Sequence, residues 1–192
     1  MTDEALGYVC PPSVIRWLNS PIRKLIQNPR RIMGKYVKQG DSVVDIGCGG
    51  GYFSVALAEM VGADGKIIAV DLQEEMLNIT KEFASKRDVL KRIKLHKCDN
   101  VDLKLSGEKA DFVLAFYMVH EVPDRKSFFK QVSNLLKPDA LFMMIEPMHH
   151  VNQAQFDLIL EEAKLTGLKL LKPFRLVMSR GMIFKMVTKN NN

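Results

Sequence analysis

The apolar positions change period along the chain. Over 13–36 they fall at Val14, Ile15, Trp17 and Leu18, then Ile22, Leu25 and Ile26, then Ile32 and Met33. This is helical spacing interrupted at Pro21 and Pro29. Ser20-Pro21 and Asn28-Pro29 read as N-cap and first-turn pairs, so two or three short helices are expected. Past a turn at Gly40-Asp41, short β-branched runs alternate with segments of helical period. Strands are expected at 42–46, 66–71, 93–97, 111–116 and 141–145, and helices at 52–61, 73–85, 124–136 and 152–166. Two last strands, 169–171 and 180–187, are expected to pair through a turn region at 173–179 with no helix between them. The alternation predicts an α/β fold, a parallel sheet covered by helices on both faces, and the final pair adds one antiparallel member.

Composition narrows the picture. At 192 residues and 47 % hydrophobic, the chain can bury one substantial core. One structural domain is expected, a helical cap segment over 1–36 leading into a domain over 37–189. No apolar stretch is long enough to cross a bilayer, and Met1–Val9 carries no signal-peptide core, so a cytoplasmic location is expected. Cys10, Cys48 and Cys98 are far apart and form no disulfide framework. The net charge of +6 is concentrated early, at Arg16, Arg23, Lys24, Arg30, Arg31, Lys35 and Lys38. Only Trp17 and Tyr36 are aromatic there, so no base-stacking platform is visible. The segment reads as a solvated helical face, which argues against a nucleic-acid partner. A monomer or homodimer is expected.

The most specific chemistry lies in Val43-Val44-Asp45-Ile46-Gly47-Cys48-Gly49-Gly50-Gly51-Tyr52. A buried strand turning through glycines into a helix brings bare backbone against a ligand at the carboxyl edge of a parallel sheet. A dinucleotide fingerprint needs G-x-G-x-x-G. Counted from Gly47 its third glycine falls on Tyr52, and counted from Gly49 it falls on Ser54. The spacing therefore disfavours an NAD-dependent enzyme. What fits is acid-x-Gly-x-Gly-x-Gly, as Asp45, Gly47, Gly49 and Gly51. This resembles motif I of the class I S-adenosylmethionine (SAM)-dependent methyltransferases.

Later segments extend the resemblance over 36–189. Asp71 ends the second strand, twenty positions after Gly51, where a carboxylate can accept both ribose hydroxyls or cap the next helix. Leu72, Gln73 and Met76 follow, and the resemblance implies contact with adenine and ribose. Asp99 and Asn100, after strand three, fit the adenine edge. The run 111–124 resembles motif IV of the small-molecule branch (methyltransferase types 11 and 25). That implies Phe116 beside the sulfonium, a cation–π contact of roughly 0.5–2 kcal/mol. The resemblance also implies strand order 3-2-1-4-5-7-6 with strand seven antiparallel, and Asp45 with 47–51, Cys48 included, along the methionine part of the cofactor. The product would be S-adenosylhomocysteine (SAH).

The acceptor side is less legible. Phe116-Tyr117-Met118-Val119 lacks the acid or Asn, two prolines and an aromatic of base-modifying amino-methyltransferases. No acidic set for a divalent metal is present either. His120 is the first candidate for a general base, followed by His149 or His150 and then Glu146. Tyr117, His150 and Arg180 are candidate acceptor contacts, Arg180 for a carboxylate. No metal site is expected. The reading is a methyltransferase acting on a small molecule. The alternative is a SAM-binding protein that modifies RNA or protein or acts in regulation.

Overall fold

The computed structural model describes residues 26–186. Ser20-Pro21, Cys10, Arg16, Arg23, Lys24 and most of the expected cap lie outside the described residues, as does 187–189. The elements are α1 (Pro29–Met33), β1 (Ser42–Ile46), α2 (Tyr52–Val61), β2 (Lys66–Asp71), α3 (Glu74–Lys86), β3 (Ile93–Lys97), β4 (Ala110–Phe116), α4 (Arg125–Leu135), β5 (Leu136–Pro147), α5 (Gln153–Lys164), β6 (Leu168–Leu176) and β7 (Ser179–Met186). Short 3₁₀ turns occupy Leu90–Arg92 and Val119–Glu121.

Seven strands form one sheet in the order β3-β2-β1-β4-β5-β7-β6. All pairings are parallel except those of β7, which runs antiparallel to both neighbours. The expected fold and strand order are therefore present. β1 is buried throughout and β2 and β4 nearly so, as strands covered on both faces must be. Side chains alternate between two cores. Val44, Ile46, Ile68, Val70, Val113 and Ala115 face α4 and α5 through Phe128, Phe129, Phe156 and Ile159. Val43, Ile67, Ala69, Phe112 and Leu114 face α1–α3 through Met33, Phe53, Leu57 and Leu77.

Caps fix where the helices start. Asn28 accepts from the Arg31 amide at 3.2 Å with Pro29 in the first turn, as its sequence suggested. Asp124 caps α4 through the Ser127 amide at 3.0 Å, and Asn152 and Gln155 form a capping box on α5.

Two boundaries differ from expectation. β5 starts at Leu136 rather than at residue 141. Leu136 pairs with Ala110, and Pro138 and Asp139 fall in an irregularity before Leu141 meets Phe112, with Asp139 at φ +63°. A proline that stops a helix is also tolerated at a bulge. β6 runs on through Pro173 to Leu176, leaving only Val177 and Met178 as the turn. β6 is an edge strand, where a missing amide leaves no partner unsatisfied.

Candidate active site

Adjacent to β1 the sheet has β2 on one side and β4 on the other, the point where connections diverge and α/β ligands bind. A cleft of about 280 Å³ opens there at the carboxyl ends of the strands. Among the expected cofactor contacts, Gly47, Cys48, Gly49, Asp71, Leu72, Met76, Asp99, Asn100 and Phe116 line it. Asp45 and Gly51 do not. Strand alternation turns Asp45 toward α2, where it is 2 % exposed and accepts the Ser54 hydroxyl at 2.5 Å. Gly51 takes φ +79° as the N-cap of α2, and a Cβ there would lie 2.8 Å from Thr80. Its bareness lets α2 and α3 close together beneath the turn.

The turn is held rigidly from below. The Gly47 and Cys48 amides both donate to the Val70 carbonyl at 2.9 Å, and Thr80 Oγ1 donates to the Gly49 carbonyl at 2.8 Å. Gly49, at φ +52°, is the open position: a Cβ there would meet no protein atom within 4 Å. Asp71 answers it from β2. One carboxylate oxygen accepts the Gly49 amide at 2.8 Å and the other the Gln73 amide at 3.0 Å. Burial raises the Asp71 pKa, while the Gln73, Gly49 and Leu72 amides pull the other way. The carboxylate keeps acceptor capacity for a ligand hydroxyl. Asp99 is placed differently. Its oxygens accept the Val101 and Asp102 amides at 3.1 and 2.8 Å and meet Lys104 at 3.1 Å, so it shapes the loop that borders the cleft.

Aromatic rings wall the other side. Phe116 packs on Phe53 at 4.2 Å and on Tyr117 at 4.3 Å between centroids, and Tyr52 meets Phe53 edge-on at 5.1 Å. Tyr117 lines the cleft at φ +63°, an unusual conformation for a bulky residue. Its hydroxyl meets the Ser179 hydroxyl and accepts from Gln27 Nε2 at 2.9 Å.

The titratable candidates separate. Glu146 is 1 % exposed. One oxygen accepts the Val119 amide at 2.9 Å and the other holds His120 Nδ1. Burial alone would lower the His120 pKa; the hydrogen bond and charge of Glu146, with the charge of Glu121, outweigh it and raise it. His120 does not line the cleft. It lines a second cavity of about 300 Å³ with Arg125, His150, Val151, Leu158 and others. His149 and His150 are exposed and meet edge-on at 4.4 Å, with His150 also 5.3 Å from His120. Slight burial and the His149 and His120 charges lower the His150 pKa. Arg180 spends its guanidinium on Gln153 Oε1 at 2.9 Å and the Val151 carbonyl at 2.8 Å, pinning the loop after β5.

Sequence reasoning missed Glu121. It lines the cleft, and burial is the main cause that pushes its carboxyl up to about 7. Its only sequence signal was adjacency to His120. Both described thiols are held protonated: burial raises Cys48 well above its usual value and Cys98 to about 11. Among the described residues no group of three or more His, Cys, Asp or Glu is arranged to hold a metal ion.

The family model described as "Methyltransferase domain" matches residues 37–182. This chain belongs to that family. The methyltransferase also resembles a SAM-dependent methyltransferase from Aquifex aeolicus in structure, at TM-score 0.83 and 26 % identity, over 93 % of this chain and 100 % of that one. Fibrillarin from Aeropyrum pernix, solved with natively bound SAM, shares the fold at TM-score 0.62 and 14 % identity, over 78 % and 68 % of the two chains. In sequence this chain is 30 % identical to a demethylmenaquinone methyltransferase of Lactobacillus johnsonii over 138 residues, 68 % of this chain and 57 % of that relative. A Staphylococcus aureus protein of the same name matches at 29 % over 110 residues, 57 % of this chain and 44 % of its own length. The methyltransferase thus spans about half the length of the curated relatives it matches.

The cofactor is SAM, and the cleft fits it. Gly49 offers backbone where a side chain would intrude, the Asp71 carboxylate is buried with acceptor capacity left, and Phe116 supplies an aromatic face. No described helix is long and apolar enough to cross a membrane.

Proposed function

We propose that this methyltransferase methylates a small, largely apolar ring compound carrying an ionisable hydroxyl, a quinol being the best-supported case. One observation carries the reading. The cleft joins the glycine–Asp71 cradle to an aromatic and aliphatic wall of Tyr52, Phe53, Phe116, Tyr117 and Met118. Two relatives named demethylmenaquinone methyltransferase support the quinol class.

SAM supplies, when bound, a methyl group already activated on a sulfonium. The protein's residues have to position the partners and exclude water. Asp71 and the Gly49 backbone would hold the ribose end, with Leu72 and Met76 beside the adenine and Asp99 and Asn100 at its edge. Phe116 would face the sulfonium. The rigid turn and wall serve positioning, which alone is worth several kcal/mol in such reactions. Tyr117 borders the acceptor end. Glu146 would fix the tautomer of His120 by accepting a hydrogen bond from Nδ1–H, leaving Nε2 as the nitrogen that exchanges protons. His149, His150 and Arg180 do not line the cleft and take no part in this reading.

The test is a calorimetric titration with SAH, with NAD in parallel, followed by measurement of SAH released from SAM with reduced 1,4-naphthoquinones and catechols as acceptors. Micromolar SAH binding and turnover of a naphthoquinol support the proposal. Binding of NAD instead of SAH overturns the cofactor assignment. A salt-sensitive shift of labelled RNA, with no turnover of any quinol, would move the acceptor to a macromolecule.

A further inference from the structure

Five acidic side chains line the cleft: Asp71, Asp99, Asp102, Glu121 and Asp124. Four are committed to backbone amides. Asp71 takes Gly49 and Gln73, Asp99 takes Val101 and Asp102, Asp102 takes Lys104, and Asp124 takes Ser127. Glu121 accepts no hydrogen bond from any described residue. Its one ion-pair partner among the described residues is His120, whose Nε2 lies 3.9 Å from its Oε1. That distance is too long for a hydrogen bond and short enough for a small rotation to make one.

The local backbone explains the placement. Residues 119–121 form a 3₁₀ turn directly after the strained Tyr117. Glu146 accepts the first amide of that turn and the His120 ring together. His120 is thereby drawn back over the end of β5, toward the second cavity. The next residue, Glu121, is left facing the cleft.

We propose that Glu121 is the catalytic base toward the acceptor, and that His120 and Glu146 behind it are positioning residues. This rests on the methyltransferase reading of the cleft and names the residue that the acceptor's hydroxyl meets. In the step, the acceptor O–H bond breaks and its proton goes to the Glu121 carboxylate. The electron pair stays on the acceptor and raises the nucleophilicity of its oxygen or conjugated ring carbon. That atom bonds the methyl carbon as the carbon–sulfur pair leaves with sulfur. When the ring carbon is methylated, its C–H proton passes to solvent afterwards, the electron pair restoring aromaticity. Glu121 returns its proton to solvent or through His120 Nε2.

The electrostatics agree with that role. The groups facing Glu121 are His120, which favours its anion, and Glu146 and Asp71, which oppose it. Burial is the largest cause opposing the anion, and the carboxyl is pushed up to about 7, where a base both accepts and releases a proton readily.

The experiment compares wild type, Glu121→Gln, Glu121→Asp and His120→Asn. SAH affinity by calorimetry comes first and separates this proposal from the cofactor assignment. With 1,4-naphthohydroquinone and SAM, the wild-type kcat should rise with pH through about 7 and level off. Glu121→Gln should lower kcat roughly 10²–10⁴-fold and abolish that rise, with the SAH Kd within about threefold of wild type. Glu121→Asp should retain the rise at reduced kcat. His120→Asn should move its midpoint upward, because the imidazolium no longer favours the anion.

A Glu121→Gln enzyme that keeps both kcat and the pH-dependent limb overturns the proposal. Should the wild type bind SAH and turn over no quinol, the Glu121 carboxyl is titrated directly by ¹³C NMR in the SAH complex. A midpoint near 7 that moves up in His120→Asn supports the assignment, and a midpoint in the ordinary carboxylate range overturns it.

Discussion

The amide of Gly49 donates to the Asp71 carboxylate at 2.8 Å, joining the glycine turn after β1 to the end of β2. The two strongest sequence motifs are thus one physical unit. Asp71 sets the turn and presents a buried carboxylate to the cleft at once. Asp71→Ala should weaken SAH binding about tenfold to a hundredfold, the range for loss of charge-assisted hydrogen bonds. Asp71→Asn should fall between the two, because its amide keeps one acceptor oxygen. Isothermal titration with SAH measures both, and equal affinity for all three proteins would remove Asp71 from the site.

Gly49 and Gly51 should fail in different ways. Alanine at Gly51 meets Thr80 at 2.8 Å in a left-handed backbone, and it should lower stability by about 2 kcal/mol or more. Alanine at Gly49 meets no protein atom, so roughly 1 kcal/mol of backbone strain is its main effect on folding. Its methyl group points into space meant for ligand, and SAH affinity should drop at least tenfold. Urea denaturation and calorimetry on both variants give the comparison. Identical profiles would mean that the glycines serve one packing role.

Stability should fall as pH rises from about 5 to 8. Glu121, lifted to about 7 by burial, holds its proton in the fold at pH values where the unfolded chain has lost it. Its contribution is complete below the ordinary glutamate value and is lost as pH rises through about 7. His120 acts in the same direction: its raised pKa stabilises the fold below the ordinary histidine value and fades above the folded one. Asp99, Glu108 and Asp111 are shifted down, and their contributions are already in place across this range. The decline should be of order 1–3 kcal/mol, and Glu121→Gln should flatten most of it. Thermal melts at pH 5.5 and 8 test the sign, and a wild type more stable at pH 8 would refute it.

Arg180→Ala should act on the fold rather than on the cofactor. The guanidinium bridges β7 to Gln153 and Val151, so its loss should lower stability by about 1–2 kcal/mol and leave SAH affinity unchanged. A larger change in acceptor KM than in Tm would restore it to the acceptor site.

The framework was legible because its signals are local. The β1 and β2 boundaries follow from dense β-branched runs, and α2 starts where the glycines stop. The late strands were harder. Pro138 and Pro173 read as breaks along the chain, yet a bulge and an edge position absorb them, and both depend on neighbours distant in sequence. The acceptor side hid for a related reason. His120 is the conspicuous residue type, but which of two adjacent side chains faces the cleft depends on Glu146, 26 residues away, pulling on one of them. Asp45 is the mirror case: it stands in the motif, and strand alternation turns it to Ser54.

The outer strand has a consequence for solubility. An edge strand exposes unpaired backbone to any other strand that drifts alongside. β6 carries Pro173, which offers no amide, and an irregularity at Leu171 that breaks the even pleat. Lys169, Lys172 and Arg175 stand exposed along the same strand. A second strand arriving there meets a gap, a kink and a row of like charges, so this edge of the sheet that builds the site resists being lengthened.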